Sequence, residues 1–367
     1  MFWKKSEKII ISAAMITLAG CAGGGSKEPE ETIDAKEKFG CNVLNVFAPG
    51  EYIGEDVIGN FEKKYNAKVN YDTFESNEMM YTKLLGGSSY DVLLPSDYMI
   101  EQLLDENLIQ KLDLSQIPNA SLVDPVVRAM EKEYDPSGEY SQPYFWGTVG
   151  LVYDKTVVDE NKVKEKGWEI LKDTEYKGNL YYYDSQRDGF MIAFKALGYS
   201  MNTDKPEEIE AAYQWLKEMN DTMEPAYVTD EVIDAMINGD KAIAIMYSGD
   251  AAYVLSENEN MAWYEPEQGT NKWVDAMVIP ANASCTGLAH AWINEMISEE
   301  VQYENSEYVG YTSVNAEVVK KLSSEEGAYF EDPAYTPRTN GAKDEVFHYN
   351  PELKRELSDR WNKVKVN

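Results

Sequence analysis

Between residues 42 and 104 the sequence switches three times from a short strand pattern to a helical one, and this rhythm constrains the fold more than any other feature. Residues 42–47 form an apolar strand candidate, residues 68–74 alternate with period two, and residues 90–94 are a compact apolar run. A helical pattern follows each. Val57, Ile58, Phe61 and Tyr65 fall at helical spacing. Residues 77–85 form a second helix, with Asn77 as its cap and Gly86 and Gly87 as its terminator. Pro95-Ser96-Asp97 opens a third, with Ile100, Leu103 and Leu104 on one face. Such alternation predicts an α/β fold in which helices cover a mostly parallel sheet.

The chain has 367 residues, too many for one ordinary core, so about two domains are expected. Further strands are expected at 148–153, 180–183, 242–247 and 276–279, with helices at 190–197, 207–219, 230–238 and 289–296. No internal repeat is evident.

In open α/β sheets, ligands sit beyond the carboxyl ends of strands. Glu51 and Tyr52 follow the first strand, and Ser96 and Tyr98 follow the third. Asp184, Ser185 and Asp188 follow the strand at 180–183, while Tyr247 and Asp250 follow the one at 242–246. Trp273 and Asp275, with Tyr311 in a turn, complete the set. Tyr and Asp are common in turns for dull reasons; the repetition of acid beside aromatic at equivalent places carries the inference. An indole face attracts cations, and a carboxylate accepts charge-assisted N–H bonds. Trp273 and Asp275 therefore suit an organic ammonium.

The formal charge of −31 argues against a nucleic-acid partner, because nothing balances phosphate repulsion. Lys4, Lys5 and Lys8 precede an apolar stretch at 9–19 that is short for a membrane span. The pattern is that of a secretory signal over residues 1–20, and Leu18-Ala19-Gly20-Cys21 resembles a bacterial lipobox. The resemblance implies lipid attachment at Cys21 and a membrane anchor outside the cytoplasm. Residues 21–40 are rich in Gly, Glu and Lys and read as a flexible tether. An exported compartment permits a disulfide between Cys41 and Cys285, and the sequence does not decide whether the two meet; two free, buried thiols are the favoured expectation. No CxxC or Cys/His metal spacing occurs, so neither metal nor cofactor is expected.

The segments "YDTFESNEMMYTKL", "YDVLLPSDY", "PYFWGTVGLVYD", "RDGFMIAFKALGYSMNT", "EIEAAYQWLKEM" and "WVDAMVIPANA" resemble the spermidine/putrescine-binding component of polyamine ABC transporters. The likeness runs from about Leu44 to Lys365. It implies a two-lobed periplasmic-binding-protein fold of the second type, with the ligand in a cleft between lobes. One lobe would hold residues 41–146 and 274–319, the other 147–273 and 320–367. The implied contacts are Glu51, Tyr52, Ser96, Tyr98, Asp188, Tyr247, Trp273, Asp275 and Tyr311. Asp184, Ser185 and His348 stand where the family places an acid and a C-terminal Gln. Pro49 and Gly50 replace an aromatic wall, which favours a shorter diamine or another small amine. The implied partners are the polyamine and the permease subunits, met by a monomer.

An enzyme with paired carboxylates is the competing class. Against it, His290 and His348 are the only histidines, and no Ser-His-Asp, HExxH, Walker or GxGxxG pattern occurs. His290, in an apolar helix, reads as structural, and no catalytic residue is assigned. Aromatic walls suit sugars as well, so a sugar-binding lipoprotein is a further alternative.

Overall fold

The computed structural model describes residues 32–50 and 52–365. The signal segment, Cys21 and Glu51 lie outside the described residues. Eleven strands occur among those described: β1 (Val43–Pro49), β2 (Lys68–Phe74), β3 (Val92–Leu93), β4 (Ile109–Gln110), β5 (Ser141–Asp154), β6 (Leu180–Tyr183), β7 (Ala226–Val228), β8 (Ile243–Tyr247), β9 (Met261–Tyr264), β10 (Lys272–Pro280) and β11 (Thr312–Ser313). Their order is β2-β1-β3-β10-β5-β8-β6-β7, with β9 and β11 on β5 and β4 on β10.

The outer pairs are parallel: β1 with β2 and β3, and β6 with β7 and β8. A parallel pair needs a long crossover, and the helices Val57–Tyr65, Asn77–Leu85, Gln186–Ala196, Pro206–Met223 and Val232–Ile237 supply these. The joining strands β5 and β10 run antiparallel to their neighbours. Residues 141–148 of β5 pair with β10, and residues 149–153 pair with β8. One strand thus serves two half-sheets.

β1 is buried on both faces. Phe47 packs with Phe74, Tyr90 and Leu93, while Leu44, Val46 and Ala48 pack toward Val69, Val92 and Trp292. That is why Val46, Phe47 and Ala48 are apolar without a break, whereas Asn42 and Asn45 interrupt the stretch before them.

Two expectations are corrected at the amino-terminal end. Residues 32–40 are not tether: Ala35–Phe39 is a helix whose cap, Asp34, accepts the Glu37 N–H. The Ile33 N–H donates to the Lys64 carbonyl at 2.8 Å, and Ala35 is fully buried. The second correction concerns the cysteines. Cys41 and Cys285 form a disulfide across a sequence separation of 244 residues, with Cα atoms 6.0 Å apart, a spacing ordinary for such a bridge. It ties the approach to β1 to the start of the Thr286–Met296 helix.

Candidate functional site

β10 runs antiparallel to β3, so its first residues lie beside the carboxyl end of β3. Ser96 and Asp275 form an isolated bridge there. Side chains alternate along a strand, which puts Trp273 and Asp275 on one face and Val274 on the other. The β5–β10 register shifts between Asp275 and Ala276, and a bulge of this kind re-aims the neighbouring side chains. Asp275 Oδ2 accepts the Tyr52 hydroxyl at 2.5 Å, and the Ser96 side chain supplies a second bond. Ser96 is itself bracketed by Asn77. The Asn77 amide donates to Ser96 Oγ at 3.0 Å, and Asn77 Oδ1 accepts the Ser96 N–H at 3.1 Å. The helix cap expected at Asn77 is Ser76, whose Oγ accepts the Met79 N–H.

From Tyr52 a chain of rings crosses the sheet. Tyr52 and Tyr311 have centroids 5.4 Å apart, Tyr311 and Trp273 5.2 Å, Trp273 and Tyr247 6.1 Å, and Tyr247 and Tyr183 5.1 Å. The two Trp273 contacts are edge-on, at 88° and 87°, the arrangement ring quadrupoles favour. Two further acids hang from this chain. The Tyr247 hydroxyl donates to Asp188 Oδ2 at 2.8 Å, and the Tyr311 hydroxyl donates to Asp250 Oδ1 at 2.9 Å. Ser185 caps the Gln186–Ala196 helix by accepting the Asp188 N–H at 3.3 Å.

Burial raises all three carboxyl groups above their ordinary range. Asp250 is pushed up to about 7, although the Tyr311 hydroxyl opposes the shift. Asp188 and Asp275 move the same way, against the hydrogen bonds of Ser185 and Tyr247 and of Tyr52 and Ser96 respectively. Burial and the adjacent carboxylates hold the Tyr52, Tyr247 and Tyr311 phenols well above their usual range, so these groups stay donors. Asp188 is 5% exposed, and its Oδ1 has no donor among the described residues. An unpaired buried carboxylate oxygen is costly. The site therefore offers negative charge and ring faces to a ligand bearing N–H groups and apolar carbon.

Two glycines make the ring chain possible. A Cβ on Gly147 would lie 2.5 Å from both the Trp273 ring and Ser248 Oγ. One on Gly249 would lie 2.0 Å from the Tyr311 ring.

Tyr52, Ser96, Ser185, Asp188, Tyr247, Trp273, Asp275 and Tyr311 are thus brought together. Three others are not. Tyr98 is buried nearby, but the Arg187 guanidinium carbon sits 3.5 Å over its ring centroid and covers that face. Asp184 turns away to the Trp361 indole N–H at 3.1 Å and Lys365 Nζ at 2.6 Å. His348 lies on Glu101 at 3.1 Å, its side chain 42% exposed. Asp250, Tyr183 and Arg187 lie outside the set of contacts implied by the sequence. Only the position of Asp250, just past a strand end, signalled it. His290 is structural: Nε2 accepts the Asp113 N–H at 2.8 Å, so Nδ1 carries the hydrogen toward the Thr286 carbonyl at 2.7 Å.

Among the described residues, no group of three or more His, Cys, Asp or Glu is placed to hold a metal ion. No described helix is long and apolar enough to cross a membrane.

The profile of the family described as bacterial extracellular solute-binding protein matches residues 56–337. A spermidine/putrescine-binding periplasmic protein of Escherichia coli is 34% identical over 286 residues, 77% of this chain and 81% of its own. The crystal structure of a spermidine/putrescine ABC transporter substrate-binding protein from Streptococcus pneumoniae superposes with a TM-score of 0.76 at 34% identity, covering 88% of this chain and 98% of that one. A lipoprotein of Treponema pallidum superposes with a TM-score of 0.75 at 26% identity, covering 88% and 99%. The architecture is accordingly the two-lobed α/β fold of binding proteins, with a cleft between the lobes. With most of its length matched by the profile, the chain belongs to the bacterial extracellular solute-binding protein family.

Proposed function

We propose that this protein captures a polyamine, putrescine or spermidine, in the cleft and delivers it to the permease of an ABC importer. One observation carries the reading. Three carboxyl groups, those of the buried Asp188 and Asp275 and the half-buried Asp250, each accept a phenol hydroxyl from a single connected set of rings. A slender ammonium ligand needs acceptors to replace its water and apolar walls for its methylenes. Asp275 serves one amine and Asp188, through its unpaired Oδ1, serves another. Trp273 and Tyr247 flank the alkyl chain. The Escherichia coli and Streptococcus pneumoniae relatives, both named for spermidine and putrescine, support this choice of ligand.

Binding rather than catalysis is proposed, in keeping with a family of solute-binding proteins. Family membership supports a place outside the cytoplasm. Lipid attachment at Cys21 rests on the lipobox pattern, with the Treponema lipoprotein as a parallel. The lobes are proposed to divide at the boundaries given above; the change of partner along β5 after residue 148 supports this.

Titration calorimetry with putrescine, spermidine, cadaverine and a sugar tests the function. Saturable heat with at least one amine and none with the sugar is expected. Heat with the sugar alone would overturn the reading.

A further inference from the structure

Arg187, the residue before Asp188, leaves its own half of the molecule. It lies on the first turn of the Gln186–Ala196 helix, which packs on β6. Its guanidinium stacks on Tyr98, and Nη2 donates to Glu78 Oε1 at 3.3 Å. Tyr98 belongs to the Asp97–Asp105 helix that follows β3, and Glu78 to the Asn77–Leu85 helix packed on β2. The same Glu78 oxygen meets Lys354 Nζ at 3.0 Å. Lys354 comes from the Pro351–Val364 helix, which packs on the Arg187 helix. One carboxylate from the β1–β3 half thus gathers two cations from the β6–β8 half.

The Arg187 side chain is 19% exposed. A guanidinium held between a ring and a carboxylate out of bulk water interacts more strongly than a surface pair. Burial alone would raise the Glu78 carboxyl, yet Arg187 and Lys354 together bring it below its ordinary range. Glu101 makes similar crossings to His348 Nδ1 at 3.1 Å and to the Tyr349 N–H at 2.5 Å.

We propose that Arg187 is a positioning residue for ligand retention: with Lys354 it clasps Glu78 across the cleft, and because it adjoins Asp188 on one helical turn, shutting the cleft and seating the Asp188 carboxylate are a single event. A helix moves as a rigid unit during hinge closure, so Asp188 reaches its seat only when Arg187 reaches Glu78. The proposal depends on the amine-binding reading only for its choice of ligand probe.

The test is a double-mutant cycle of Arg187→Met and Glu78→Gln in the full chain. Stopped-flow dissociation of putrescine and small-angle scattering with and without putrescine are the readouts. Truncating one partner of a desolvated charge pair acts on the dissociation rate. Each single variant should release putrescine at least about tenfold faster, with association changed by less than about threefold. The double variant should release it no faster than the worse single one. The radius of gyration of the variants without ligand should exceed that of the wild type. Wild-type dissociation rates, or single effects that add fully, would overturn the clasp. Should Arg187→Met fail to fold, Glu78→Gln and Arg187→Lys yield the same readouts, and the lysine variant should fall between wild type and Glu78→Gln. If the wild type binds neither putrescine nor spermidine, the ligand reading fails. The clasp is then judged by scattering alone, where equal radii for variant and wild type would sink it.

Discussion

The Tyr247 hydroxyl donates to Asp188 Oδ2 at 2.8 Å, while the other oxygen of the same carboxyl group is buried and has no donor among the described residues. The phenol fixes the carboxylate, and on the proposed reading an ammonium group of the ligand meets its other oxygen. Each charge-assisted bond to such a group contributes about 1.5–3 kcal/mol. Asp188→Asn should therefore weaken putrescine binding at least about tenfold, and Asp275→Asn should do the same. Tyr247→Phe keeps the ring but frees Oδ2, and should cost about two- to tenfold. Calorimetry on the three variants checks this; unchanged affinity in either Asn variant removes that acid from the site.

Gly147→Ala and Gly249→Ala place a methyl group where the Trp273 and Tyr311 rings now lie. Overpacking of this kind costs about 1–3 kcal/mol and shifts the obstructing side chain. Both variants should bind putrescine at least about fivefold more weakly. For Gly147→Ala the tryptophan fluorescence of the unliganded protein should also change. Wild-type affinity with wild-type fluorescence would show that the ring chain tolerates displacement.

Trp273 and Asp275 were legible because strand alternation alone puts residues two apart on one face. Asp188 and Tyr247 were legible because strand ends are where α/β sheets hold ligands. Asp184 satisfies the same rule, yet its side chain turns to other partners. Its partners, Trp361 and Lys365, lie 177 and 181 residues away, and no local pattern reveals a side chain claimed from that distance. Asp250 was under-read for the converse reason, since its orientation comes from Tyr311, 61 residues on. The docking of residues 32–40 was hidden by their polar composition, which hides the one buried residue, Ala35. The disulfide was hidden because pairing depends on the closeness of two Cα atoms 244 residues apart in sequence.

The disulfide closes a long loop, and bridges of this kind add about 2–4 kcal/mol, mainly by restricting the unfolded chain. Cys41→Ser combined with Cys285→Ser should lower unfolding free energy by about that amount, measured by urea denaturation. Cys285 shares a buried core with Leu288, Trp292, Tyr52 and Trp273, but the hydrogen bonds of the three acids to their phenols run to neither cysteine. Putrescine affinity should stay within about twofold of wild type once the variant is folded. A large affinity loss at normal stability would mean that the bridge shapes the cleft itself.

Asp250 is expected to make ligand binding depend on pH. Its carboxyl group is pushed up to about 7 in the folded protein, from an ordinary value of 3.8. Between those two values the folded state holds a proton that the unfolded state has lost. The contribution of Asp250 to stability is therefore fully present below about pH 4 and is lost as pH rises through about 7. Ligand binding has the opposite sign. A cation near Asp250 favours the ionised form, so binding releases a proton below pH 7, and affinity climbs with pH by at most about tenfold per unit until it levels off. Putrescine titrations from pH 5.5 to 8.5 should show this rise and plateau, with calorimetric heats that depend on the ionisation enthalpy of the buffer below pH 7. Asp250→Asn should flatten most of the slope and remove most of the buffer dependence, leaving any residue to Asp188 and Asp275, which are raised as well. A variant whose affinity still climbs as steeply as wild type would place the titrating group elsewhere and leave Asp250 as a neutral partner of Tyr311.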